Sequence, residues 1–158
     1  MQRILTCVDF SEVTEPVVEQ TKIIARSQDA TVRLLHVGAP NPDFVGFEAG
    51  PDVVRDQVAH ALRDEHRQLE ELVATLQRES VRATHLMAQG PTVQTILEQA
   101  RRFQADLIVL GSHGHGALVH LLAGSVTQGV LHGSRVPVLV VPSRRRASSS
   151  TSFETKSE

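Results

Sequence analysis

Four short aliphatic runs, Ile4–Val8, Val32–Val37, Leu107–Leu110 and Val136–Val141, lack the regular apolar/polar alternation of a half-exposed strand. Strands read this way when both faces are covered, as in a parallel sheet held between two layers of helices. A fifth run, Val81–Met87, mixes apolar and polar residues and reads as an edge strand. Between these runs the period changes to that of helices. Val13, Val17 and Ile24 share one face of a segment running to about Ala25. From Asp52 to Arg78 the apolar set Val54, Val58, Ala61, Leu62, Leu69, Leu72, Val73 and Leu76 recurs at helical spacing. The charges between them (Arg55, Asp56, Arg63, Asp64, Glu65, Arg67, Glu70, Glu71) read as a solvated face. A third helix spans about Pro91–Arg102, and a fourth follows Ser125, where Ser125 and Gln128 have the spacing of a capping box.

The resulting order, β-α-β-α-β-α-β-α-β, predicts an α/β fold. It is a three-layer, doubly wound sandwich in which a five-stranded parallel sheet is flanked by about four helices. A chain of 158 residues suits a single domain, and with no Trp or Tyr and five Phe its core must be aliphatic. Residues 1–142 read as that domain and 143–158 as a disordered, polar, Ser/Thr-rich tail. The stretch Gly38–Gly50 reads as a long loop or lid. A formal net charge of −2 argues against a nucleic-acid surface. Asp9 ends the first apolar run too early for a signal peptide, and no stretch nears the roughly 20 apolar residues of a membrane span. These features point to a cytoplasmic chain with no membrane partner. The one cysteine, Cys7, forbids an internal disulfide and reads as an inert core thiol.

Ligands of doubly wound sheets bind at the carboxyl ends of the strands, where the strand order reverses. Directly after Leu107–Leu110 stands Gly111-Ser112-His113-Gly114, followed nine residues later by Gly124-Ser125-Val126-Thr127. Glycines let a backbone approach an anion, successive N–H groups form an anion nest, and the helix opening at Ser125 offers its positive end to a phosphate. Ser125 and Thr127 add hydroxyls, Ser125 serving as cap and as phosphate donor alike. The segment is not a P-loop, because Ala117-Leu118 stands where Lys and Ser/Thr belong. Nor is there a dinucleotide fingerprint, since Asp9-Phe10-Ser11 follows the first strand without a glycine. Asp9 has two readings, helix cap or ligand contact. His36 reads as a satisfied core histidine. His113, His115 and His120 lack the converging partners of a metal cage, so no metal held by protein alone is expected there.

With these residues in view, the span Arg3–Pro142 resembles a universal stress protein domain. The pattern Gly-x2-Gly-x9-Gly-Ser at Gly111, Gly114, Gly124 and Ser125 matches the nucleotide-binding branch of that family. Val8-Asp9-Phe10-Ser11, Leu34-Leu35-His36-Val37 and Val136-Pro137-Val138-Leu139-Val140-Val141 resemble further signatures. The resemblance implies the strand order 3-2-1-4-5 and a bound ATP, or ADP or AMP, with Mg2+ held mainly by the phosphates. It assigns Asp9 to the ribose hydroxyls and places Cys7, Val8 and Val37 beside adenine. Leu110, Gly111, His113 and Gly114 line the ribose and phosphates, and Gly124, Ser125, Val126 and Thr127 hold the phosphates. Cys7 departs from the small residue or Pro common at its position. The family implies a homodimer through 136–141, an aliphatic strand that would otherwise leave an open edge. No catalytic residue stands out. A regulatory nucleotide binder with an unidentified protein partner, a slow ATPase or nucleotidyl transferase, and a nucleotide-free interaction module all remain open.

Overall fold

The structure, a computed structural model, describes residues 2–38, 52–112 and 124–143. The loop or lid expected over Gly38–Gly50, the tail after Ser143, and His113 and Gly114 lie wholly or largely outside the described residues. Nine elements follow in order: β1 (Arg3–Cys7), α1 (Thr14–Gln28), β2 (Thr31–Gly38), α2 (Asp52–Arg78), β3 (Arg82–Gln89), α3 (Thr92–Phe103), β4 (Leu107–Ser112), α4 (Ser125–Gly133) and β5 (Val138–Pro142). The strands form one all-parallel sheet in the order β3-β2-β1-β4-β5. The mixed run does become an edge strand, β3. No described helix is long and apolar enough to cross a membrane.

The chain steps outward from β1 to β2 and β3, then returns to the other side of β1 for β4 and β5. A common crossover hand therefore puts the first two helices on one face and the last two on the other. The core divides accordingly. Ile4, Leu34 and Val109 pack with Val17 of α1 and Leu69 and Leu76 of α2. Leu5, Leu35, Ile108 and Leu110 pack with Ile96 of α3 and Val130 of α4. Successive strand residues thus enter opposite cores, which explains runs without polar alternation. A polar pair within the first layer is self-satisfied: the hydroxyls of Thr6 and Thr21 lie 3.0 Å apart, both fully buried. At the other end of β1, Asp106 accepts the N–H groups of Gln2 and Arg3, which holds its carboxyl below the usual range.

Two expectations need correction. Gly111 and Ser112 belong to β4, paired with Val141 and Pro142, rather than to the loop after it. The capping box at Ser125 does not form. Gly124 takes the N-cap position and its carbonyl accepts the N–H of Gln128 at 3.0 Å, so Ser125 sits one place too far into the helix. Glycine and serine both serve as N-caps, and sequence alone does not decide between neighbours.

α4 lies against α3 through two glycines one turn apart. A Cβ at Gly129 would meet Val93 Cγ2 at 2.7 Å, and one at Gly133 would meet Leu97 Cδ1 at 2.6 Å. Val93 is stiff at χ1, whereas the end of Leu97 can swing away. Gly129→Ala should therefore lower stability by about 1–3 kcal/mol through overpacking despite its better helix propensity. Gly133→Ala should be nearly neutral, and adding Val93→Ala should rescue Gly129→Ala. Urea unfolding midpoints check all three.

Candidate functional site

The site begins with the length of the central strand. β1 ends at Cys7, opposite Leu35 of β2, but β2 runs on three residues to Gly38. On the other side Thr6 pairs with Val109, and β4 continues to Ser112. β1 is thus shorter at its carboxyl end than both neighbours and leaves a notch where the strand order reverses.

A cavity of about 290 Å3 occupies the notch. Ten residues singled out from the sequence line it: Cys7, Val8, Asp9, Val37, Leu110, Gly111, Gly124, Ser125, Val126 and Thr127. The remaining lining residues, Val13 just before α1, Thr14 and Val17 of α1, Leu35 of β2, and Thr92 and Ile96 of α3, were not foreseen as site residues. Their apolar members were legible as core, but nothing local showed that they also form the cavity wall.

The notch leaves hydrogen-bonding backbone facing the cavity. In a parallel ladder one residue directs its N–H and C=O to the same neighbour, and the next residue directs its pair to the other side. Leu35 faces β1, its carbonyl accepting the Val8 N–H at 2.9 Å. Two residues on, Val37 turns its N–H and C=O the same way, past the end of β1. It therefore presents a donor and an acceptor to the cavity.

Thr14, Thr92 and Ser125 are the first residues of α1, α3 and α4, and all three line the cavity. Three positive helix ends thus meet at one cavity. Among the described lining residues there is no Lys, Arg or His, and Asp9 is the one formal charge. An anion here would be held by backbone N–H groups, hydroxyls and helix dipoles. The Thr127 hydroxyl, expected from the sequence as a phosphate donor, instead donates to the Gly111 carbonyl at 3.3 Å, tying α4 to β4 and leaving the Thr127 backbone N–H as its contribution to anion binding.

Asp9 is exposed, and both of its readings have a structural basis. Its Oδ1 accepts the Ser11 N–H at 3.1 Å, the Ser11 hydroxyl at 2.6 Å and the Thr14 hydroxyl at 3.3 Å, which shapes the β1–α1 turn. The carboxylate also borders the cavity. Phe10, next in the turn, has φ 58°, a left-handed backbone that an aromatic residue adopts at a cost of about 1–3 kcal/mol. Its ring lies 4.6 Å from the His36 ring. His36 is buried, and its Nδ1 must donate to the Val8 carbonyl at 2.9 Å, since a carbonyl only accepts. Its Nε2 lies 3.5 Å from a Glu65 carboxylate oxygen, so that part of the charged α2 face touches the protein rather than solvent alone. His36 is the satisfied core histidine expected from the sequence. The left-handed turn at Phe10 and its contact with His36 are features that the sequence did not reveal.

The two described glycines of the motif serve different ends. A Cβ at Gly111 would collide with the Val13 side chain, so this glycine admits α1 close to β4. Gly124 has φ −53° and, among the described residues, nothing within 4 Å of a Cβ, so neither a left-handed turn nor packing against those residues requires it. Cys7 is half-buried at the cavity wall, and desolvation pushes its thiol up to about 12. At neutral pH it is a neutral, unreactive thiol.

Comparison with known proteins agrees with this architecture. The model of the universal stress protein family matches residues 1–142. Universal stress protein A homolog 2 of Coxiella burnetii is 34% identical over 131 residues, which is 80% of this chain and 84% of that protein. Among solved structures, protein MJ0577, a universal stress protein of Methanocaldococcus jannaschii, superposes with a TM-score of 0.72 at 27% identity, covering 90% of this chain and 96% of that one. A universal stress protein of Archaeoglobus fulgidus in complex with dAMP has the same fold, with a TM-score of 0.61 at 19% identity over 89% of this chain and 98% of that one.

Proposed function

The chain belongs to the universal stress protein family, and from that premise we propose that it is a regulatory protein of the stress response that holds an adenine nucleotide in the notch beyond β1. ATP is the first candidate and ADP and AMP the others, with Mg2+ held mainly by the phosphates. The observation that carries this reading is the overhang of β2, which turns the N–H and C=O of Val37 toward the cavity. That donor–acceptor pair suits the edge of adenine, with Cys7, Val8 and Leu110 supplying apolar contact to the ring and ribose. Asp9 would accept the ribose hydroxyls. The positive end of α4, with Gly124, Ser125, Val126 and Thr127, would receive the phosphates, and Gly111, His113 and Gly114 would complete the enclosure. The dAMP complex of the Archaeoglobus fulgidus protein supports the reading by showing that this fold can hold an adenine nucleotide in another chain.

The site is read as holding nucleotide rather than consuming it, because efficient phosphoryl transfer needs a clamped terminal phosphate and a group that positions the nucleophile, and the segment after β4 lacks the Lys of a P-loop. We further propose a homodimer in which two β5 strands pair antiparallel. β5 lies at the sheet edge with Val138, Leu139 and Val140 half-buried, an edge that a second copy would satisfy.

Gly124 tests the nucleotide site. Among the described residues nothing lies within 4 Å of a Cβ at Gly124, so Gly124→Val should cost no more than about 1 kcal/mol through loss of the glycine cap. Calorimetry with Mg-ATP should show binding weakened by about tenfold or more, which is 1.4 kcal/mol or above. Unchanged affinity would place the phosphates elsewhere. For the dimer, Val138→Asp should shift the mass measured by light scattering from two chains toward one. A mass that does not move would rule out pairing through β5.

A further inference from the structure

We propose that His66, Glu70 and His85 form a binding site for a transition-metal dication of the Zn2+ class, which clamps α2 to the sheet edge. His66 and Glu70 are four residues apart on α2 and so share one helix face. The His66 Nε2 lies 3.3 Å from Glu70 Oε1. His85 comes from β3. Val81 and Ala83 pack in the same core layer as Leu69, Val73 and Leu76 of α2, and the period of two along the strand puts His85 on that same face. Its ring meets the His66 ring edge-on, with centroids 5.1 Å apart at 79°. One ligand atom from each of the three residues lies within 4.8 Å of the other two.

The spacing fits a metal. A tetrahedral ion with bonds of about 2.0–2.2 Å holds its ligand atoms roughly 3.3–3.5 Å from one another. The His66–Glu70 pair is already at that separation. The third donor lies within 4.8 Å of the others and need close by no more than about 1.5 Å, within reach of a side-chain rotation. Two imidazoles and a carboxylate suit Zn2+, Cu2+, Ni2+ or Co2+, whereas Mg2+ and Ca2+ take oxygen ligands. His66 and Glu70 are exposed and His85 is half-buried, so an ion can approach from solvent and find one leg anchored in the fold. Three protein ligands leave a fourth position for water.

The site shares no residue with the cavity beyond β1 and stands whether or not that cavity holds nucleotide. Its effect follows from topology. His66 lies one turn before Leu69, the first fully buried residue of α2 along its described face, so a bound ion would fasten the start of the packed half of α2 to β3. Such an ion binds the folded chain and stabilises it by an amount that grows with the logarithm of the free metal concentration above Kd.

The test uses the full chain, stripped with EDTA and free of nucleotide, titrated with ZnCl2 by calorimetry and with CoCl2 by visible absorption. One equivalent of Zn2+ should bind, raise the melting temperature, and resist displacement by excess Mg2+. Co2+ should show the intense visible bands of four-coordinate geometry. His85→Ala and Glu70→Gln should each weaken Zn2+ binding by about tenfold or more and abolish the thermal shift. His132→Ala, on α4, should leave both unchanged. Metal-free melting temperatures matching wild type exclude misfolding as the cause. Equal Zn2+ affinity in His85→Ala and wild type, or no saturable binding at all, would overturn the site.

Discussion

The structure depends on β1 being hydrogen-bonded on both sides and then stopping early. As the central strand it sets the register of β2 on one side and of β4 on the other. Because it ends at Cys7 while both neighbours continue, the sheet opens a gap in its own hydrogen-bond ladder. The backbone of β2 and β4 beyond that point borders the cavity rather than β1. The strained turn at Phe10 follows from the same constraint. The chain must leave the sheet at once to start α1 at Thr14, and Asp9 is carried to the cavity rim as it does so. The Phe10–His36 contact and the bond from His36 to the Val8 carbonyl offset the strain.

Charge at the cavity is arranged without cationic side chains among the described residues. Three helix ends supply partial positive charge that is fixed by the backbone and does not titrate, while Asp9 supplies the opposing sign at the cavity rim. This polarity suits a ligand with a hydroxyl-bearing middle and an anionic tail. The histidines that the described residues bring together lie elsewhere, on α2 and β3, where β3 forms the open edge of the sheet. The molecule therefore separates a notch suited to phosphate from a surface cluster suited to soft cations, and neither depends on the other.

The fold was legible because both faces of the sheet are covered. Residues such as Ile4 and Leu5 enter different cores, so the apolar runs stand out with no alternation to confuse them. β3 read as mixed because an edge strand has fewer neighbours. The site was legible in its strand ends and its α4 helix start. It was not legible in α1 and α3, whose lining residues look like ordinary core. The packing role of Gly111 was not legible, because a glycine in a sequence does not say whether a neighbouring side chain takes the place of its Cβ. Here Val13 does. Glu70 read as one of many solvated charges, since helical periodicity cannot register a histidine arriving from a strand. Phe10 carried no local signal at all, as its φ is imposed by contacts made across the fold.

The account turns on an adenine nucleotide occupying the notch beyond β1. The most direct measurement is native mass spectrometry of the freshly purified, undialysed protein, followed by denaturation and identification of the released small molecule. An adenine nucleotide at a stoichiometry approaching one per chain is the predicted result. A protein that releases none, and that still carries none after incubation with Mg-ATP, Mg-ADP and AMP, would contradict the account.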